Sequence, residues 1–197
     1  MVDEAPLIRR PLAGARHAFR WLIKSHERLV FSIVWKIVRN QQDAEDISQE
    51  VFLKVYEKLN TFNQESKLST WIARIAYNEA LSKLRKRDAL HASFDVEDEA
   101  FRERLDAGTF TPAEALEAGE VKTVVQAAIE QLPTQYRTLI ELFHMQELSY
   151  AEVVEITGMP EGTVKNYLYR ARNLLKEMIQ KNQEILTQYG PPGAARK

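Results

Sequence analysis

The sequence predicts an all-α protein: two small helical domains joined by a flexible acidic linker, the C-terminal one containing a helix-turn-helix. Three observations predict it. Helix formers dominate the 197 residues, and the seven glycines are sparse, several falling where helices should stop. Apolar positions recur at three- and four-residue steps on both sides of the middle of the chain. Between those runs, residues 88–119 carry nine acids against Arg102 and Arg104, with weak periodicity, Gly108 and Pro112.

The elements follow in order. From Ala18 to Val38, the positions Phe19, Leu22, Ile23, Leu29, Val30, Ile33, Val34 and Ile37 require two helices or one bent helix. Asn40, with Asp43 three residues on, marks the next start, and Ala44, Ile47, Val51, Val55 and Leu59 form its stripe. The polar stretch 60–68 ends at Ser69-Thr70, a cap before a helix from Trp71 to Arg87. After the linker, Val121, Val124, Val125, Ala128, Ile129 and Leu132 mark a helix halted by Pro133, and Leu139, Ile140, Leu142 and Phe143 mark another. Ser149 and Glu152 make a capping box opening Tyr150–Thr157, Gly158 supplies a left-handed stop, and a second helix begins after Pro160, near Gly162-Thr163. Its apolar stripe of Val164, Leu168, Ala171, Leu175 and Met178 turns Lys165, Asn166, Tyr169, Arg172, Asn173 and Lys176 outward.

Helix, tight turn, helix is the arrangement of duplex-DNA readers, whose second helix enters the major groove by its N-terminal residues. Lys165 can donate to guanine and Asn166 can bond adenine bidentately, while Arg170, Arg172 and Lys176 suit phosphates. In the helix Trp71–Arg87, winding at about 100° a residue gathers Trp71, Arg74, Asn78, Ser82 and Arg85 on one arc, with Tyr77 nearby. Aromatic, amide and cationic groups on one arc can stack on unpaired bases, bond their edges and hold their phosphates. The acids from Asp43 to Glu50 read, on physical grounds alone, as a solvated face near the positive end of a helix dipole.

Composition narrows the classes. The formal net charge is −1, so any nucleic-acid affinity lies in the distribution of charge, with basic Lys83–Arg87 and Lys165–Lys176 flanking the acidic connector. With no cysteine there is neither a disulfide nor a thiolate site, and His17, His26, His91 and His144 are scattered without metal spacing. No cofactor and no catalytic residue are expected. No run approaches the roughly 20 apolar residues of a membrane span. A soluble cytoplasmic chain, monomeric when free and without membrane insertion, is the expectation. A rival reading is a dimeric regulator with an N-terminal sensing domain, although such a domain has no evident need for the Trp71–Arg87 surface.

Asp43-Ala44-Glu45-Asp46-Ile47-Ser48-Gln49-Glu50-Val51-Phe52, then Phe62, then Ser69-Thr70-Trp71-Ile72-Ala73-Arg74-Ile75-Ala76-Tyr77-Asn78, resembles the first domain of extracytoplasmic-function sigma factors. Leu132-Pro133, Tyr136-Arg137, Leu148–Glu152 and Gly162–Lys165 resemble their second. The resemblance implies an extension over residues 1–17, region 2 over 18–87, a linker over 88–118, region 4 over 119–182 and a tail over 183–197. It implies that Asp43, Asp46, Gln49, Glu50 and Phe52 dock on the clamp of the largest polymerase subunit, with region 4 on the flap of the second. By the same resemblance Phe62, Lys67, Trp71, Arg74, Tyr77, Asn78, Arg85 and Lys86 meet the −10 element, and Thr163, Lys165, Asn166, Tyr169, Arg170 and Asn173 the −35 element. The partners implied are core RNA polymerase, promoter DNA and an anti-sigma factor. Asn166-Tyr167 departs from the small residue and arginine common after Val-Lys in this family.

Overall fold

The computed structural model describes residues 15–87, 101–102 and 121–189. Helix α1 (Ala15–Val38) is a single helix. The gap in its apolar pattern between Ile23 and Leu29 is bridged by His26, which is buried with its Nδ1 3.0 Å from the Leu22 carbonyl. Arg39 then turns the chain in the left-handed region, φ 53°. Asn40 caps α2 (Gln41–Lys58), its side chain accepting from the Asp43 amide at 2.9 Å. A 3-10 turn (Leu59–Thr61) and a loop lead to α3 (Leu68–Arg87). This helix begins three residues before the expected start: Ser69 and Thr70 lie in its first turn, and Thr70 is wholly buried instead of capping.

The second unit comprises α4 (Val121–Gln131), α5 (Thr134–Ile140), a π turn (Glu141–Met145), α6 (Tyr150–Thr157) and α7 (Glu161–Tyr189). Pro133, without an N–H to give, separates α4 from α5. The expected capping box opens α6, and Gly158 closes it at φ 70°, where a side chain would be strained. The Pro160 carbonyl accepts from Thr163 and Val164, setting the start of α7. The buried stripe of α7 passes through Leu174, with Leu175 only half-buried, and α4 and α5 pack on this helix. It also carries through Tyr189, past the expected start of the tail at residue 183. Among the described residues there is no strand. The expected linker lies outside the described residues apart from Phe101 and Arg102, which are helical, with Phe101 buried.

The two units pack on each other, α1 against α5 and α3 against α6. Lys36 of α1 reaches across to Glu130 and stands 3.9 Å from Glu141. Arg137 Nε donates to the Lys36 carbonyl at 2.7 Å while Nη1 donates to the carbonyls of Leu132 (2.7 Å) and Glu130 (3.3 Å). Gln146 bridges to Ser32 at 3.2 Å. On the other side, Lys67 Nζ lies 2.9 Å from Glu152 Oε1, and Thr70 Oγ1 lies 3.4 Å from the same oxygen.

Arg137→Met leaves three carbonyls without a charged donor and is expected to lower the unfolding free energy by about 3–5 kcal/mol in urea titrations. The Lys67 ammonium, with help from Ser149, holds the Glu152 carboxyl down at about 2 against an ordinary 4.5. A depressed carboxylate stabilises the fold above its unfolded value, and that contribution fades as pH falls towards the folded one. Melting temperatures of wild type and Glu152→Gln, which keeps a capping-box side chain, should therefore differ steadily above pH 5 and converge between about 4.5 and 2.

Candidate nucleic-acid interface

On α7, burial of Val164, Leu168, Ala171 and Leu174 fixes the helix rotation, so Lys165, Asn166, Tyr169, Arg170 and Asn173 share the exposed side and Thr163 is half-buried at its edge. Tyr169 is 61% exposed, unusual for an aromatic without a ligand to cover it. Lys165 Nζ rests 2.5 Å from Glu161 and 5.3 Å above the Tyr150 ring. Glu161 raises its pKa, so the ammonium stays charged. Glu161, Lys165 and Tyr150 thus hold a cation at the end of the helix that would enter a groove.

On α3, Arg74, Asn78, Ser82 and Arg85 lie exposed along the expected arc, with Trp71 half-buried at its head. The Trp71 ring leans on Phe62, centroids 5.5 Å apart, leaving part of the indole outward. Asn78, Leu81, Ser82, Arg85 and Lys86 line an open hollow of about 260 Å³, polar and basic. Two residues expected to meet DNA here do not reach the surface. Phe62 is 7% exposed, its ring against Trp71, and Tyr77 is 6% exposed, facing inward on α3 beside a small cavity whose cover includes Gln135, Thr138 and Met159 of the second unit. Burial raises the Tyr77 pKa, with Arg85 opposing. Lys67 is exposed but engaged by Glu152.

The acidic helix α2 shows Asp46 and Gln49 outward, with Asp43 and Glu50 half-buried; Glu50 sits 3.2 Å from Lys83 of α3. Phe52 corrects another expectation: it joins the buried stripe beside Val51, because α3 packs there. The outward apolar positions are instead Leu53 (64% exposed) and Tyr56 (49%), the latter edge-on to Phe19 at 5.0 Å. Sequence reasoning missed both. Their signal was present: Gln49, Leu53 and Tyr56 step by four and three along a line separate from the stripe of Ala44, Ile47, Val51 and Val55.

Among the described residues the histidines make no common site. His26 is core, His17 is exposed, and His91 lies outside the described residues. His144 has its pKa lowered by partial burial and by Arg172. Among the described residues no group of three potential metal ligands occurs, and no helix is long and apolar enough to cross a membrane.

Comparison with known proteins gives the geometry its context. Sigma-70 region 2 matches residues 22–90 and Sigma-70 region 4 matches residues 122–175, so α3 with its arc falls in the first and the helix-turn-helix in the second. The chain is 31% identical over 179 residues to the ECF RNA polymerase sigma factor SigW of Bacillus subtilis, covering 88% of this chain and 95% of that one. It is 32% identical over 182 residues to the RNA polymerase sigma-H factor of Pseudomonas aeruginosa, covering 90% and 94%. Its fold is similar to that of the sigma factor RpoE from Bartonella quintana, solved with the anti-sigma factor NepR: TM-score 0.60 and 24% identity over 82% of this chain and 96% of that one. Both sigma regions in their order, and likeness along nearly the whole length of two sigma factors, establish that the chain belongs to the ECF RNA polymerase sigma factors of the sigma-70 family.

Proposed function

We propose that α7 reads the −35 element in duplex form, that the α3 arc captures −10 bases leaving the stack, and that α2 docks the chain on the clamp of core RNA polymerase. The observation that carries this is the rotation of α3. Its apolar residues turn inward while Arg74, Asn78, Ser82 and Arg85 stand in solvent in line with Trp71, a surface fitted to single strands. On α7, Thr163, Lys165, Asn166, Tyr169, Arg170 and Asn173 are the readers. Lys67 and Lys86 serve −10 phosphates; Phe62 acts by supporting Trp71, and Tyr77 meets DNA only when its cover is removed.

The docking face comprises Asp43, Asp46, Gln49 and Glu50, extended by Leu53 and Tyr56. Region 4 meets the flap of the second subunit. The chain catalyses nothing: capture of unstacked bases offsets the few kcal/mol of melting with about 1–3 per stacked base. An anti-sigma partner is proposed from the RpoE relative, which was solved with one. The setting is the cytoplasm, where polymerase works.

The test is addition of the purified chain to core polymerase lacking any sigma factor, with fragments of its own genome as template. Discrete transcripts dependent on the chain are expected. Binding to duplex DNA alone, with no affinity for core, would favour a two-fold regulator instead. Within active complexes, Trp71→Ala with Asn78→Ala should cut permanganate reactivity of −10 thymines about tenfold or more, with duplex binding changed less than threefold. Lys165→Ala with Asn166→Ala should instead weaken upstream binding by roughly tenfold, read by footprinting. Leu53→Glu should lower core affinity without altering duplex binding by isolated chain, measured by fluorescence anisotropy.

A further inference from the structure

Helix α1 keeps an outward face that none of the three proposed surfaces uses. Leu22, His26, Val30, Ile33, Val34 and Ile37 point into the core, which fixes the rotation of the helix. At about 100° a residue, His17, Trp21, Lys24, Arg28, Phe31 and Trp35 then fall within an arc of about 80° on the opposite side. Trp21 and Phe31 are 38% and 37% exposed. Trp35 is half-buried, its ring stacked on Phe31 with centroids 6.4 Å apart and planes 14° from parallel.

The chemistry of this face is selective. From residue 17 on, every exposed residue of α1 is aromatic, cationic, His17, Ser25 or Glu27, and none is aliphatic. A partner helix or a bilayer needs aliphatic side chains to bury, as Leu53 offers on α2, and this face has no counterpart. Charge points the same way. The helix holds Arg16, Arg20, Lys24, Arg28 and Lys36 against Glu27 alone, which falls outside the arc. Lys36, Lys54, Lys67, Lys83 and Lys165 each pair with a carboxylate, but among the described residues Lys24 and Arg28 do not. Cations without carboxylates, set a turn apart between exposed rings, suit a polyanion that offers a flat ring at every repeat. A single strand of nucleic acid is such a polyanion, whereas a duplex hides its rings in the stack. From Trp21 to Trp35 the helix rises roughly 21 Å, the length of about four nucleotides and the short end of single-strand sites.

We propose that the outward face of α1 is a second track for single-stranded DNA. Trp21 and Phe31 stack on bases, Trp35 backs Phe31, and Lys24 and Arg28 hold the phosphates between them. Every base has a face to stack, so the track holds a strand without reading its sequence. It lies on a different helix from the arc of α3 and stands whether or not that arc captures −10 bases. Its effect is to add about four nucleotides to the unpaired stretch that the first unit can hold, keeping an opened duplex apart over a greater length.

The test is titration of the full-length chain with a 20-nucleotide oligothymidine. In Trp71→Phe the remaining tryptophans, Trp21 and Trp35, both lie on α1, so quenching of their fluorescence reports this face and not α3. Saturable quenching is expected, and its absence would overturn the proposal. Anisotropy of the fluorescein-labelled strand gives the affinity. Lys24→Gln with Arg28→Gln should weaken binding at least fivefold and lower the slope of log affinity against log salt by about 1.4, two phosphates at about 0.7 each. Trp21→Ala with Phe31→Ala should weaken it at least fivefold with the slope unchanged. A smaller loss in either pair refutes the track. Should a pair not fold, photo-crosslinking of wild type to a strand bearing 5-iodouracil takes its place: adducts on Trp21 or Phe31 are expected, and adducts confined to α3 or α7 count against the proposal. Oligouridine of the same length bound more than tenfold tighter would reassign the face to RNA. Retention on phosphatidylglycerol vesicles, lost in the aromatic pair while strand binding persists, would reassign it to a membrane. Arg74→Gln with Arg85→Gln separates the two helices. Strand binding lost there but kept in the α1 pairs upholds the α3 arc and removes this track; the reverse keeps the track and removes the arc.

Discussion

A guanidinium with almost no access to water holds this molecule together. Arg137 cannot shed its charge, so its burial is tolerable only where fixed acceptors surround it. The fork finds them on both units: the last turn of α4 and the residue after it supply the carbonyls of Glu130 and Leu132, and α1 supplies that of Lys36. Lys36, carried to the same place by that contact, brings its own charge to Glu130 and, at longer range, Glu141. The path of the α4–α5 turn and the seating of α1 on α5 are thus set by one side chain. Removing it disturbs the internal shape of the second unit and its mating with the first together.

The helices were legible in the sequence wherever a local signal acted alone. Asn40 as a cap, Ser149 with Glu152 as a box and Gly158 as a stop each depend on atoms a few residues apart, and each stands where it was expected. Misplacement arose where tertiary packing overruled local preference. Ser69-Thr70 has the composition of a cap, yet α6 packs over it, and burial draws Thr70 into the helix. The single α1 was hidden for a similar reason: a histidine in the core breaks an apolar pattern while keeping the helix, because its ring nitrogen stays beside the Leu22 carbonyl.

The candidate surfaces divide along the same line. Helical spacing correctly brought Arg74, Asn78, Ser82 and Arg85 to one side of α3, since rotation follows from periodicity. Aromatic residues were less legible, as Phe52, Phe62 and Tyr77 serve a core as readily as a ligand. Which role each takes depends on packing of α2, α3 and α6, and no short window of sequence contains that. Leu53 and Tyr56 show the converse. They belong to no core stripe, and the fold leaves them exposed beside Asp46 and Gln49.

Arg39, Gln64 and Glu147 adopt positive φ although none is glycine. A glycine would admit many backbone states at each corner, whereas these side chains admit only a narrow left-handed well. The corners between α1 and α2, before α3 and before α6 are stiff, at a cost of about 1–2 kcal/mol each. That stiffness amounts to preorganisation. The entropy of arranging the side chains of each surface is lost when the chain folds, so a partner meeting either unit orders little more and keeps a larger share of its contact energy as affinity.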